Sequence, residues 1–400
     1  MKIVTKKFLA ILLAALALSA HAQKKYDEGA SDTEIRLGHT SPQSGPAAAW
    51  GSVGKAMSAY FKMINDGGGI NGRKINLLTY DDGYQPPRTL EQTRKAVESD
   101  KVLFMAGGMG TPPQLAVAPY LNQKKIPQLY LAAGASKLAD AKTYPYTLIL
   151  GSTFEVEGAA WVRYLAETKP NAKVAAVYQD DDAGRAVLAG FKSALTGAPL
   201  TLVAEQTYTV TDATLDSQII ALKNSGADTV LLITIPKMSA LALRKIRALS
   251  WEPAILVSGG GSSPKSAFAP GGLENAKGIL TANFRMQVGS AEFQSNPEVK
   301  AYREFVTKYL PGVDPSDEIY TVGYMAAAAT AQVIQQAGDN LTRENIHRIA
   351  FNQKSYRMPL VLPGVFGSTS PTDSRPFKQL QFFRFNGAEY ESVGKVVTVQ

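Results

Sequence analysis

Residues 35–88 run in the order strand, loop, helix, turn, strand, and this order constrains the fold more than any other feature of the chain. An apolar stretch, Ile35–Gly38, enters a polar loop at Ser41–Pro46. A long helical pattern follows and is closed by Gly67-Gly68-Gly69-Ile70-Asn71-Gly72, after which a second apolar stretch ends at Tyr80-Asp81-Asp82. Two strands with a helix between them must cross over and lie parallel, since a tight hairpin has no room for the helix. In open sheets of this kind, ligands settle beyond the carboxyl ends of the strands. Here that end carries Ser41, Ser44, Gly45 and Trp50, groups suited to holding a small polar molecule, and it carries no acid–base pair or nucleophile.

The alternation continues along the chain. Ile75–Thr79, Val102–Ala106 and Gln128–Ala132 read as buried parallel strands, separated by helices at Thr89–Glu98 and Gln114–Gln123. It restarts at Leu148–Thr153 with helix Glu155–Thr168, strand Lys173–Tyr178 and helix Gly184–Leu195. Strand Thr201–Glu205, helix Thr214–Ser225, strand Thr229–Ile233, helix Lys237–Leu249 and strand Ala254–Ser258 complete it. Two consecutive series of one kind predict an α/β protein of two doubly wound, Rossmann-like lobes.

The remainder differs. Ile279–Asn283 reads as a crossover strand leading to helices at Pro297–Tyr309, Ser316–Gln336 and Arg343–Ala350. The end reads as a hairpin, Gln379–Phe385 and Glu389–Val399, about an Asn386-Gly387 turn. Several passages between lobes make a hinge, and hinges permit closure around a ligand. The expected division is 34–152 plus 282–366 for lobe one and 153–281 plus 367–400 for lobe two.

The first residues set the compartment. Lys2, Lys6 and Lys7 precede a short apolar run, Phe8–Leu18, and Ser19-Ala20-His21-Ala22 offers an Ala-x-Ala cleavage site. This is the pattern of a secretory signal peptide cut after Ala22, and it predicts a periplasmic protein. Residues 23–33 are expected to be a flexible lead-in. The formal charge of +8 includes those three lysines, and the other basic residues are scattered rather than clustered, so no nucleic-acid footprint is expected. The chain has 0 cysteines, which excludes disulfides, thiol catalysis and Cys-based zinc sites. A mature chain of about 380 residues exceeds what one core commonly serves, in keeping with two lobes.

Several segments together resemble the type I periplasmic binding proteins of ABC importers, in particular the leucine/isoleucine/valine-binding group. They are Ser44-Gly45-Pro46-Ala47-Ala48-Ala49-Trp50-Gly51, residues 64–73 (INDGGGINGR), Tyr80-Asp81-Asp82, residues 120–127 (YLNQKKIP), Gly134-Ala135-Ser136, residues 216–228 (DSQIIALKNSGAD), residues 272–278 (GLENAKG) and Ser370-Pro371-Thr372-Asp373. The resemblance covers the mature chain in order. It implies lobes joined by a three-stranded hinge, a small-molecule ligand in the interlobe cleft, an inner-membrane ABC permease as partner, a monomer and no cofactor. By position it assigns the ligand carboxylate to Thr111 and the Gly134-Ala135-Ser136 turn, each between a strand and a helix where N–H groups and the helix dipole favour an anion. It makes Trp50 a pocket wall. Phe154 and Tyr320 are further candidate walls, and Ala183, Thr234, Ser258 and Gly259 face the ligand from lobe two.

Two departures bear on the ligand. Where relatives carry an aromatic after an Asp-rich loop, Gln179-Asp180-Asp181-Asp182 is followed by Ala183. Where relatives place a Glu that pairs with a substrate ammonium, the chain reads Ser258-Gly259-Gly260-Gly261-Ser262. A buried ammonium without an anion is costly. The expected ligand is therefore a carboxylate without an amino group, an organic or aromatic acid, with a branched-chain amino acid as the alternative. Arg285, just past the crossover strand, is expected at the surface, a reach to a carboxylate being its other reading. His39 and His347 have no spacing partner for a metal, and no nucleophile elbow or phosphate loop is present, so an enzyme is not expected. A ligand sensor partnering a membrane receptor is the remaining alternative, since the same fold serves both roles.

Overall fold

A computed structural model describes residues 24–399; the expected signal peptide lies outside the described residues. Two separate sheets organise the chain, the first all parallel and the second parallel except for its last two strands. The first is formed by β2 (Glu34–Ser41), β3 (Lys74–Asp81), β4 (Phe104–Ala106), β5 (Gln128–Leu131) and β6 (Thr147–Ile149), in the order β3-β2-β4-β5-β6. The second contains β7 (Lys173–Gln179), β8 (Thr201–Tyr208), β9 (Thr229–Ile233), β10 (Ala254–Val257), β11 (Leu280–Asn283), β13 (Gln379–Phe385) and β14 (Tyr390–Thr398), in the order β14-β13-β11-β10-β9-β7-β8. A doubly wound order places the switch points of both sheets at the carboxyl ends of the strands, where a ligand site belongs.

The helices are those the apolar periodicity predicts, with boundaries moved by a few residues. They are α1 (Ser52–Asp66), α2 (Pro86–Arg94), α3 (Thr111–Gln123), α4 (Phe154–Thr168), α5 (Asp182–Ala194), α6 (Asp216–Asn224), α7 (Pro236–Ala248), α8 (Pro297–Tyr309), α9 (Ile319–Ala337) and α10 (Arg343–Ala350). The Ala-rich α9 buries 15 of its 19 residues, as its composition predicts, and packs on α1. A Cβ at Gly323 would stand 2.2 Å from the Val53 carbonyl oxygen, so contact this close requires glycine there.

Three expectations change. Residues 24–33 are not a free lead-in, because β1 (Lys25–Tyr26) pairs in parallel with β12 (Asn340–Leu341). Arg73, almost fully buried, ties this segment down through Tyr26 Oη at 2.7 Å, the Ser31 carbonyl at 3.0 Å and Asp339. Leu280–Asn283 is not itself the crossing segment. It is a member of the second sheet, parallel to β10 and antiparallel to β13. Residues 282–283 thus sit with the second sheet, and the passage follows them, where Phe284–Met286 runs antiparallel to Leu360–Leu362. Finally, β6 at Thr147–Ile149 is a strand too short to show as a run of its own.

Candidate functional site

The carboxyl ends of the two sheets face one another across two joined cavities of about 160 and about 80 Å³. Trp50, Met109, Ala132, Phe154, Glu157 and Gly260 line both. The smaller cavity adds Tyr84, Thr111, Ala183, Thr234 and Ser258; the larger adds Gly259, Asn283, Phe284, Arg285, Ile319, Val322 and Met325. The structure therefore brings Trp50, Thr111, Phe154, Ala183, Thr234, Ser258 and Gly259 to one place, from both sheets.

Four expected residues are elsewhere or differently engaged. The Ser136 N–H donates to both Glu155 carboxylate oxygens at 3.1 Å and its hydroxyl donates to Glu155 Oε1 at 2.6 Å, so an internal carboxylate already holds this turn. Gly134 serves packing instead. A Cβ there would fall 2.7 Å from the Phe154 ring, and the Phe154 N–H donates to the Gly134 carbonyl at 2.7 Å. Ala135 is buried beside it and lines neither cavity. Tyr320, though at the start of α9, lines a surface groove beside Gln43, Lys55 and Tyr309, because its neighbours Ile319 and Val322 are the ones turned to the cavity.

Thr111 begins α3 after Gly110, whose φ of +93° sets the helix entry. Its hydroxyl is buried without a hydrogen-bond partner. Pro112 and Pro113 follow, and a proline has no N–H, so the helix start offers fewer backbone donors to an anion than the usual first turn. On the opposite side, Asp181 caps α5 by accepting from the N–H groups of Ala183 at 2.9 Å and Gly184 at 3.0 Å. The Thr234 hydroxyl is paired with Ser239 at 2.6 Å.

The sheets are joined across the cleft. The Tyr84 hydroxyl donates to Asp181 Oδ2 at 3.3 Å and accepts from Gln179 Nε2 at 3.4 Å, while Lys137 meets Asp182 at 2.7 Å. Tyr84 holds this position with a φ of +62°, a left-handed conformation that is uncommon for a bulky residue. The Trp50 and Tyr84 rings lie 5.6 Å apart.

Two charged residues depart from the sequence reading. The cleft does contain a carboxyl group: Glu157 is 6 % exposed and accepts the Gly259 N–H at 2.8 Å. Burial lifts it to about 8, the Gly259 bond pulling weakly the other way. The Gly259–Gly261 run itself holds no carboxylate, and the Glu that meets it comes from a facing helix. The signal was present, since Glu157 falls on the buried stripe of α4 with Ala160, Trp161 and Leu165. Arg285 is not a surface residue. It lines the larger cavity with its Nε buried and unpartnered.

Residues 34–389 match the periplasmic binding protein family, and the chain belongs to that family. It is similar to Leu/Ile/Val-binding protein homolog 7 of Brucella abortus (strain 2308), at 24% identity over 264 residues, a match spanning 64% of this chain and 64% of that protein. The fold is similar to a branched-chain amino acid ABC transporter protein from Thermus thermophilus with bound valine, at TM-score 0.84 and 20% identity, covering 92% of this chain and 98% of that one. It is also similar to a fatty acid ABC transporter substrate-binding protein from Thermomonospora curvata, at TM-score 0.82 and 22% identity, covering 95% and 96%. These likenesses define a type I periplasmic binding protein fold of two lobes and a hinge.

Proposed function

We propose that this chain is the substrate-binding protein of an ABC importer, exported to the periplasm. In this reading it captures a small carboxylate-bearing ligand between two lobes, 34–152 plus 284–366 and 153–283 plus 367–400, the expected division moved by the two residues that belong to the second sheet. The lobes close by hinge rotation, and the closed form, a monomer, delivers the ligand to a membrane permease. An organic or aromatic acid is preferred to an α-amino acid.

The observation that carries this reading is the pair of joined cavities behind Trp50 and Phe154, whose walls are mostly apolar. An apolar cavity of roughly 150 Å³ is large enough to hold a benzene ring. The volumes here accept one ring, or a short aliphatic chain, with a polar end. Trp50 and Phe154 wall the ligand; Thr111, Ser258 and the Gly259 region meet its polar groups. Closure strengthens each of those bonds by removing water. The protein from Thermomonospora curvata, described as handling fatty acids, supports an acid with an apolar body.

Glu157 favours a second reading. A buried carboxyl without a cation beside it is a natural partner for a ligand ammonium, and the valine-bound protein from Thermus thermophilus points the same way. In the preferred reading Glu157 remains protonated and donates a hydrogen bond instead. A thermal-shift screen of the mature protein against 4-hydroxybenzoate, octanoate, leucine and valine separates the two, because a ligand that binds only the folded state raises the melting temperature. A rise with the acids alone is the expected result; a rise with the amino acids alone overturns the preference for acids.

A further inference from the structure

Arg285 is the charged group that the fold treats most unusually. It follows β11 on the passage between the sheets and is bridged through its backbone to Val361. Its Nε is buried and finds no hydrogen-bond partner among the described residues. The ionisable groups that act on it are Glu318, Tyr302 and Tyr390, and each is engaged elsewhere. The Tyr390 hydroxyl donates to the Ser262 carbonyl at 2.7 Å, the Tyr302 hydroxyl donates to the Asp317 carbonyl at 3.5 Å, and the Glu318 carboxyl faces the Gln287 amide. Glu318 attracts the guanidinium but forms no ion pair with it, and burial raises the Glu318 carboxyl.

The position matters as much as the charge. Arg285 belongs to the part of the larger cavity that the smaller one does not share, a part also lined by Phe284, Ile319, Val322 and Met325. Thr111 belongs to the unshared part of the smaller cavity, where two prolines and the self-capped α5 leave few donors for an anion. A desolvated cation among apolar walls is costly until an anion meets it, and a guanidinium fork suits a carboxylate in two parallel hydrogen bonds.

We infer that Arg285 is the carboxylate seat of the ligand, so that the acid group points inward to the hinge passage and the apolar body lies back toward Trp50 and Phe154. The inference rests on the capture of an acid proposed above and deepens it by naming the end of the cavity at which the charge is read. Thr111 and Ser258 then serve an uncharged polar substituent.

The test is calorimetric titration of the mature protein with 4-hydroxybenzoate and with 4-hydroxybenzamide, which keeps the shape and loses the charge. The wild type is expected to favour the acid by at least about 10-fold. Arg285→Leu is expected to weaken acid binding roughly 10- to 100-fold and to bring the acid-to-amide ratio close to one. Arg285→Lys, which keeps the charge and loses the fork, is expected to fall between them. A ratio unchanged in either variant overturns the assignment, and so does a wild-type ratio near one, which needs no variant to fold. If the wild type binds valine and neither aromatic probe, the preference for acids fails, and the same comparison with valine and valinamide decides Arg285 by the same criterion. Binding of none of these probes overturns both proposals.

Discussion

At the scale of the residue, the site turns on carboxyl groups whose protonation the fold has altered. Glu157 and Glu318 are both lifted from an ordinary 4.5 to about 8, principally by burial. A carboxyl raised in the folded state holds its proton where the unfolded chain has lost it. The associated stability is complete below the unfolded value and declines as pH rises from about 4.5 through 8. His39 acts in the opposite sense. Burial under α1 pushes it down from 6.5 to about 4, so its contribution is lost only as pH falls below the unfolded value. Between pH 6.5 and 8 the decline from the two Glu residues should therefore dominate these three groups. We expect the ligand-free melting temperature to fall with rising pH across that window and Glu157→Gln to reduce the slope without abolishing it, since Glu318 remains. Calorimetric scans at several pH values check this, and an unchanged slope in the variant would show that Glu157 ionises normally. From the chain alone Glu157 drew no notice and Arg285 was expected at the surface, because the surroundings of each are set by residues far along the chain, Gly259 for Glu157 and Val361 for Arg285.

At the scale of the element, α4 and α5 carry much of the site and pack with almost no space between their backbones. A Cβ at Gly158 would stand 2.0 Å from the Val187 carbonyl oxygen, and one at Gly190 would stand 2.1 Å from the Glu155 carbonyl oxygen. Backbone atoms cannot step aside as a flexible side chain can, so an added methyl must separate the helices. Gly190→Ala is expected to cost about 1–3 kcal/mol in denaturant unfolding, the usual range for an overpacked core. It should also weaken ligand binding, because α4 bears Phe154 and Glu157. A variant as stable as the wild type would contradict the close approach. Period 3.6 and period 2 patterning made nearly all the helices and longer strands legible, since burial of an apolar face acts locally. The same patterning was blind to β6 and to the pairing of β1 with β12, which are three and two residues long and owe their existence to neighbours.

At the scale of the whole molecule, the cleft is held shut by few polar contacts. Tyr84 reaches Asp181 and Gln179, Lys137 reaches Asp182, Lys265 pairs with Asp314 at 2.7 Å and the Ser263 hydroxyl donates to Asp317 at 3.4 Å. The Lys137 pair is largely exposed and worth little, whereas the Tyr84 hydroxyl is buried. Tyr84→Phe should therefore shift the lobes toward an open form and weaken ligand binding by about 1 kcal/mol, the net worth of a typical hydrogen bond. Small-angle scattering of the ligand-free variant should give a larger radius of gyration than the wild type; equal radii would mean that the contacts left in place, Lys137–Asp182 and Lys265–Asp314 among them, suffice to hold the closure. The succession of the helices and longer strands, the two series of βα units and the closing hairpin of β13 and β14 could be read from the chain, because each follows from local periodicity and turn chemistry. Which polar groups meet in the cleft was decided only by the tertiary structure. Ser136 was claimed by Glu155, Tyr320 turned away, and Glu157 and Arg285 turned inward, since the orientation of a side chain at an element's end depends on the surfaces packed against it.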